Sequence, residues 1–163
     1  MRDAGVMTMI TVQTRFGKLS VVEDDGAIVR LDWGGADSGG ADDGPATPLL
    51  NEAAAQLRAY DQGRLQVFDL PLRLKGSDFQ RAVCNAMRAI PFGDTRTYGE
   101  IASVLGQSAQ AVGGACGGNP IPVIIPCHRV LGADGKLTGF SGAGGVETKV
   151  ALLRHEGAAS LLI

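Results

Sequence analysis

With 163 residues, the chain is long enough for one compact domain or two small lobes, and its 45% hydrophobic and 20% charged residues are typical of a soluble globular protein. It has no run of about eighteen apolar residues, which excludes a membrane-spanning helix. Residues 1–10 do not form a secretory signal, which predicts a cytoplasmic protein. Residues 1–72 contain six Lys/Arg against eleven Asp/Glu, and residues 73–163 contain nine against six. This asymmetry favours a polyanion contact in the second part, although ordinary surface variation explains it nearly as well.

The first part of the chain predicts a small sheet followed by a helix. Apolar runs at 7–14, 18–22 and 27–33 are separated by turn residues and indicate three strands. Residues 34–44 are rich in Gly, Asp and Ser and predict a loop. A helix is expected from Pro48 until Gly63, then a further strand at 65–70 and a crossing between lobes at 71–76.

The second part predicts a helix-turn-helix. Ser77 caps a first helix that Pro91 stops, and a capping-box pattern at 97–100 opens a short helix that Gly106 closes. Ser108 then caps another helix, from Ala109 to about Cys116. Two short helices across a Gly-containing turn are the pattern of a helix-turn-helix.

The second of these short helices has almost no side-chain bulk. It contains two mid-helix glycines, Gly113 and Gly114, each of which costs roughly 1 kcal/mol relative to alanine. Such a cost is understandable if the helix approaches another backbone or a DNA groove very closely. Close packing against a second protein helix accounts for the feature equally well.

Three cysteines and two histidines are the candidates for reactive chemistry. Cys84, Cys116 and Cys127 are odd in number and widely spaced, with no Cys-x-x-Cys pair, so we expect neither a disulfide framework nor a bound metal. An apolar run at 121–125, predicted as a strand, leads into Cys127, His128 and Arg129. A neighbouring histidine and arginine are expected to lower the pKa of the Cys127 thiol, and the thiolate is the form that attacks carbon. In isolation the Cys-His pair is weak, because a free cysteine is usually a small buried hydrophobe.

The second part of the sequence resembles the O6-alkylguanine-DNA alkyltransferases (methylated-DNA–protein-cysteine methyltransferases). The resemblance covers residues 76–157, about half of the chain, and the Pro-Cys-His-Arg-Val string is its most specific motif. The matching segments are Asp-Phe-Gln (78–80), Ile-Pro-Phe-Gly (90–93), Thr-Tyr-Gly-Glu-Ile-Ala (97–102), Ala-Val-Gly-Gly-Ala (111–115), Gly-Asn-Pro (118–120), Ile-Pro-Cys-His-Arg-Val (125–130), Gly-Ala-Asp-Gly-Lys-Leu-Thr-Gly-Phe (132–140) and His-Glu-Gly (155–157).

The resemblance implies a mixed α/β (α+β) fold in two parts. Residues 1–72 would form a ribonuclease-H-like lobe of sheet and helix. Residues 73–163 would form a mostly helical DNA-binding and alkyl-acceptor domain with a helix-turn-helix of winged-helix type. It further implies a monomer that binds double-stranded DNA carrying O6-alkylguanine through the minor groove and uses no cofactor. The alkyl group, from guanine and in some members from O4-alkylthymine, would pass to the protein once per molecule.

The resemblance also implies a role for each site residue. Cys127 would accept the alkyl group, with His128 as the base through a water and Glu156 holding that histidine. The base-contacting residues would be Tyr98 toward ring N3, Ser141 toward O6 and the Val130 backbone toward the exocyclic amine. Asn119 would brace the active-site turn, and Ala109 and Gln110 would contact DNA. Without the resemblance, the favoured interpretation of these residues is structural: Tyr98 as an edge residue of the core, Ser141 as a turn hydroxyl and Asn119 as a turn former.

The sequence departs from the family pattern at three positions. Gln110 stands where the family usually has an arginine that fills the gap left by a flipped base, so we expect weaker DNA binding or slower flipping. Phe140 replaces a tyrosine and Cys84 a tryptophan. An alternative function is therefore a protein that binds alkyl lesions with weak transfer, although the presence of Cys127 favours transfer. A cysteine hydrolase fits poorly, because it leaves the helix-turn-helix unexplained.

Overall fold

A computed structural model describes residues 7–34, 47–137 and 145–158, so most of the loop predicted at 34–44 lies outside the described residues. The chain divides into two units, one ending at Lys75 and the other beginning at Gly76. Within the described ranges, no helix is both long and apolar enough to cross a membrane.

The first unit consists of an antiparallel sheet and one helix. Strands β1 (Met7–Thr14), β2 (Gly17–Asp24) and β3 (Ala27–Trp33) pair in sequence order, which confirms the three predicted strands. Asp25 and Gly26 connect β2 to β3 with positive φ angles of 50° and 79°, the backbone that a two-residue hairpin with a right-handed strand twist requires. Helix α1 (Pro48–Asp61) begins after Thr47, whose side chain accepts a hydrogen bond from the Leu50 amide.

The core of the first unit is apolar. It lies between the sheet and α1 and consists of the buried side chains Met9, Val12, Leu19, Val21, Ile28, Leu31, Leu50, Ala53, Leu57 and Tyr60. Burial of this kind is the main favourable free-energy contribution to folding. Among the described residues of this unit, the ion pairs are on or near the surface, as in the pair between Arg15 and Asp61.

The strand predicted at 65–70 is wrong. The segment is irregular, and the chain pairs with the sheet only just after it, in a single bridge between Ile28 and Leu72. The Gln56 side chain on α1 forms two hydrogen bonds with the backbone of Asp69. It donates to the Asp69 carbonyl at 3.1 Å and accepts from the Asp69 amide at 2.9 Å. Because a side chain satisfies both backbone groups of Asp69, this residue needs no strand partner.

The second unit is mostly helical. It contains α2 (Asp78–Arg88), α3 (Tyr98–Leu105), α4 (Ala109–Gly117) and α5 (Val146–His155). Two short strands, β4 (Arg96–Thr97) and β5 (Val130–Leu131), pair in parallel. The predicted mixed α/β fold class is therefore confirmed, while the winged-helix form stays a prediction.

Helices α3 and α4 pack together as the predicted helix-turn-helix. Thr97 and Glu100 form both bonds of the capping box, and Ser108 caps α4 by accepting from the Ala111 amide. Gly106 ends α3 with φ 67°, a left-handed conformation that glycine adopts without a Cβ clash. Caps at both ends of the turn thus define the two helices locally.

Residues 121–125 form a tight turn, so the strand predicted there is wrong. The Ile125 amide donates to the Ile121 carbonyl at 2.8 Å, and Val123 has φ 72°. A β-branched residue in the left-handed region is strained and persists only where its surroundings hold it. Here Val123 is buried, and prolines on both sides cannot donate to a sheet ladder. A strained turn, and not a strand, therefore delivers the chain to Cys127.

Candidate active site

Cys127 begins a buried 3-10 turn that continues through His128 to Arg129. The Cys127 amide donates to the Ile125 carbonyl at 2.8 Å, and the residue is only 7% exposed. The turn is held from outside by Asn119, which donates to the Ile125 carbonyl at 2.9 Å and accepts from the Ile121 amide at 3.0 Å. These two hydrogen bonds connect Asn119 to both ends of the turn at 121–125, just before Cys127.

The immediate neighbours of Cys127 in sequence do not lower the pKa of its thiol, contrary to the sequence-based expectation. Burial raises the pKa of Cys127, and the opposing influences are a hydrogen bond from Asn119 and the positive charge of Lys149. Arg129 points instead at Glu156, with Nε 2.7 Å from Oε1 and Nη2 3.0 Å from Oε2. Its guanidinium is occupied by a buried carboxylate, so it is not the counter-charge of the thiol.

His128 and Glu156 form the pair that the resemblance implied. His128 Nε2 lies 2.7 Å from Glu156 Oε2, and both residues are buried. Burial acts to raise the pKa of Glu156, but hydrogen bonds and charges from His128 and Arg129 lower it to about 2. The carboxylate is therefore ionised and accepts from both residues.

The protonation of His128 follows from this pair. Burial lowers the pKa of His128 and outweighs the opposing effect of Glu156, so the imidazole is neutral near pH 7. A neutral imidazole that donates from Nε2 to Glu156 has its lone pair on Nδ1. That nitrogen is buried and has no hydrogen-bond partner among the described residues. Glu156 thus selects the tautomer in which His128 can accept a proton.

A buried lysine that the sequence analysis missed lies at the same turn. Lys149 on α5 donates from Nζ to the Val130 carbonyl at 2.6 Å, and Nζ lies 6.0 Å from the centroid of the half-buried Tyr98 ring. Its signal in the sequence is a lysine on the otherwise apolar face of α5, two helical turns before Glu156. The structure therefore brings Tyr98, Val130 and Lys149 together.

The other two cysteines are also buried, and burial favours the protonated form of their thiols. Burial raises the pKa of Cys116 to about 12, and it raises the pKa of Cys84 as well. Gln80 donates weakly to Cys84 Sγ at 3.7 Å and more strongly to the Ala115 carbonyl at 2.8 Å. In the described parts of the chain, no group of three His, Cys, Asp or Glu side chains is arranged to hold a metal ion.

Ala109 and Gln110 lie exposed at the start of α4. A Cβ added at Gly113 or Gly114 would meet no atom within 4 Å in the described structure. Packing against another described helix therefore does not explain these glycines. Ser141 and Phe140 lie outside the described residues.

The second unit combines a helix-turn-helix with a buried thiol and a histidine that is hydrogen-bonded to a carboxylate. This combination defines a class of DNA-binding protein with a nucleophilic cysteine. Two family models match the chain, both of the 6-O-methylguanine DNA methyltransferases: the ribonuclease-like domain at residues 7–74 and the DNA-binding domain at residues 78–158. The chain belongs to this family.

Curated relatives and a solved structure agree with this assignment. The methylated-DNA–protein-cysteine methyltransferase of Mycobacterium tuberculosis is 54% identical over 114 residues, 69% of this chain and 68% of the relative. The constitutive enzyme of that name from Bacillus subtilis is 38% identical and covers 90% of this chain and 93% of its own. The crystal structure of Mycobacterium tuberculosis OGT in complex with DNA superimposes with a TM-score of 0.82 at 40% identity, covering 96% of this chain and 99% of that one.

Proposed function

We propose that this protein is a methylated-DNA–protein-cysteine methyltransferase, which repairs DNA by moving an alkyl group from O6 of guanine irreversibly onto Sγ of Cys127. The single observation that carries the proposal is that the buried Cys127 is followed by a neutral His128. Its hydrogen bond to Glu156 selects the tautomer in which Nδ1 carries no proton. The family and the names of the relatives supply the substrate class.

The transfer step follows from the protonation states. The thiol proton of Cys127 passes through a water to Nδ1 of His128, and Glu156 stabilises the imidazolium that forms. The thiolate then attacks the alkyl carbon; the new S–C bond forms as the C–O6 bond breaks, and its electron pair goes to the guanine. Tyr98 donates a hydrogen bond to ring N3, which stabilises the negative charge that develops on the guanine, and the guanine takes up a proton from water after the C–O6 bond has broken. The thioether is not cleaved by water, so each molecule reacts once.

The base would be held around the turn that carries Cys127. The guanine has to leave the helix stack to reach a buried thiol. We assign the Val130 carbonyl to the exocyclic amine, Ser141 to O6 and Asn119 to bracing the turn. The assignment of Asn119 is supported by its hydrogen bonds to the backbone of Ile121 and Ile125. Acceptance of O4-alkylthymine stays a prediction.

Helix α4 is the surface that we propose to contact DNA. Its exposed first turn carries Ala109 and Gln110, and its glycines leave open space for a close backbone approach. The side chains of this helix are mostly too small for bidentate contacts to base edges, so phosphate contacts would supply most of the affinity and binding would fall with salt. Minor-groove binding, a monomeric state and a cytoplasmic location stay predictions. A lesion-binding protein with weak transfer, because of Gln110, is the alternative.

Mass analysis of the acceptor peptide tests the proposal. The protein is mixed with a duplex carrying labelled O6-methylguanine and digested, and the peptide containing Cys127 should gain one methyl group. Cys127→Ser should give no transfer while the duplex is still bound, since a serine hydroxyl stays protonated near neutral pH. Cys84→Ser and Cys116→Ser are matched controls that should still transfer. Lesion binding without any methyl gain on wild-type Cys127 would establish the alternative instead.

A further inference from the structure

The helix-turn-helix of the second unit carries no positive charge of its own. Residues 97–128, which include α3, the turn and α4, contain no Lys or Arg, and their one acidic residue is Glu100 in the capping box. Arg129 follows this stretch but is buried against Glu156. Because binding through phosphates requires cations at the contact surface, the charge has to come from residues that border the helix-turn-helix.

Arg96 borders the helix-turn-helix at its start. It belongs to β4 and directly precedes Thr97, the residue that caps α3. In the parallel pairing of β4 with β5, Arg96 is in register with Val130, the third residue after Cys127. Neighbouring strands lie about 4.8 Å apart, so the backbone of Arg96 lies beside the backbone to which we assigned the guanine amine. The fold therefore brings this cation to the edge of the proposed base site.

The guanidinium of Arg96 is exposed and only partly engaged. Its side chain is 40% exposed, and Nη1 donates to the Thr95 carbonyl at 2.8 Å and to Asp94 Oδ2 at 3.0 Å. Within the described ranges, Nε and Nη2 form no hydrogen bond to protein. These two nitrogens form one edge of the guanidinium, and two parallel donors on one edge match two oxygens of a phosphate. An edge suited to a bidentate phosphate contact is therefore available.

Asp94 holds the opposite side of this guanidinium. Its Oδ1 accepts from the Thr95 amide at 3.1 Å, which fixes the carboxylate, and the hydrogen bond from Arg96 is the main cause that lowers the pKa of Asp94. An exposed ion pair of this kind contributes little to the stability of a fold. The pair therefore orients the Arg96 side chain more than it stabilises the unit.

The other cations in the described part of the second unit are placed differently. Arg129 and Lys149 are buried, and Arg81 on α2 is tied to Asp78 and to the Gly76 carbonyl. Three more are exposed on other elements: Arg88, Lys136 and Arg154. Among all of these, Arg96 is the one whose strand pairs with Val130.

We propose that Arg96 binds a backbone phosphate next to the flipped guanine, through the Nε–Nη2 edge that Asp94 leaves available. It is a DNA-binding residue that takes no part in the transfer of the alkyl group, and its role rests on the function proposed above. The contact partly compensates for Gln110, which brings no charge to α4. Because it is made to the backbone of DNA, it does not depend on the neighbouring bases.

A matched pair in the first unit provides the control. Arg96→Gln removes the charge, while Arg96→Lys keeps a cation without the two-donor edge. Arg30 on β3 forms the same kind of pair with the residue two positions away, with Nε 2.8 Å from Asp32 Oδ2, and is also partly exposed. Arg30→Gln therefore changes the net charge equally at a site away from the helix-turn-helix. The affinity for an unmodified duplex, on which no transfer occurs, is measured by fluorescence anisotropy at several salt concentrations.

Loss of one phosphate contact has a defined salt signature. We expect Arg96→Gln to bind about tenfold more weakly than wild type near about 50 mM salt, and the slope of log affinity against log salt to become shallower by about 0.9. Arg96→Lys should keep the wild-type slope and most of the affinity, and Arg30→Gln should match wild type. An unchanged slope in Arg96→Gln, or an equal change in Arg30→Gln, would overturn the proposal.

Reaction with a free benzylguanine-type base separates phosphate binding from folding and pocket chemistry. The free base has no phosphate, so Arg96→Gln should alkylate Cys127 with it at the wild-type rate, while its second-order rate on a methylated duplex falls about tenfold. A slow reaction with the free base would assign Arg96 to the fold or the pocket and overturn the phosphate role. If wild type binds the duplex but transfers no methyl group, the proposed function fails, while the salt slopes still decide the role of Arg96.

Discussion

The two units differ in that only the second holds charged side chains in its described interior, in addition to ion pairs at its surface. In the first unit, the Arg15–Asp61 pair is at the surface, with 57% of the Arg15 side chain exposed. In the second, Glu156 joins His128 and Arg129 entirely in the interior, and Lys149 is buried nearby. Exposed ion pairs contribute little to stability, whereas buried charges are costly and persist where geometry or function requires them. The contrast indicates that the first unit is stabilised by its apolar core and that the second accepts costly interior charges in order to hold a reactive thiol.

The largest expected effect of a substitution is at Glu156. Glu156→Ala leaves Arg129 buried without its carboxylate and removes the partner of His128, so we expect a loss of about 3–5 kcal/mol in the free energy of unfolding. Urea denaturation measures it. Glu147→Ala removes an exposed carboxylate of the same helix and should cost less than about 1 kcal/mol. Equal effects of the two substitutions would remove the contrast between buried and exposed charge.

The free energy of unfolding at acidic pH should also depend on Glu156. Because the folded-state pKa of Glu156 is about 2, below its ordinary value of 4.5, its contribution to stability is fully present above about pH 4.5. The contribution is lost as the pH falls from there toward 2. Urea denaturation at several acidic pH values should show this loss in wild type and a flatter dependence in Glu156→Gln. An equally steep loss in the variant would assign the acid sensitivity to other carboxylates.

A third prediction concerns Gln110, on the exposed edge of the second unit. Gln110→Arg adds a long cationic side chain that can stack and meet phosphate, so duplex repair should speed up by on the order of tenfold. The gain should be smaller on single-stranded DNA, which needs no opening, and should shrink at high salt. Gln110→Ala should slow repair of the duplex but leave the reaction with a free benzylguanine-type base nearly unchanged. Second-order transfer rates on the three substrates measure this, and equal effects on all of them would rule out a role in base extrusion.

The smallest effect is expected in the first unit. Asp61→Ala removes the exposed pair with Arg15, in which Nε lies 2.9 Å from Oδ1, and should change the free energy of unfolding by no more than about 1 kcal/mol. Repair of a methylated duplex should proceed at the wild-type rate. A cost near that of Glu156→Ala, measured by the same denaturation, would show that surface charge matters as much as buried charge here.

Local signals in the sequence were sufficient for most of the fold. Alternating apolar runs predicted β1 to β3, and the caps Ser77, Thr97 and Ser108 predicted where three helices begin, because each cap acts on amides only a few residues away. The Pro-Cys-His-Arg-Val string indicated the nucleophile by its likeness to a family. These features depend on neighbours in the chain, so the amino-acid order is enough to recognise them.

Contacts between distant residues decided the rest. In the irregular segment at 65–70, Gln56 satisfies the backbone of Asp69, and the turn at 121–125 is held by Asn119. Arg129 meets Glu156 across 27 residues of chain, which is why its guanidinium does not serve Cys127. Lys149 meets the Val130 carbonyl, and is buried, only because folding brings α5 against the turn at Cys127.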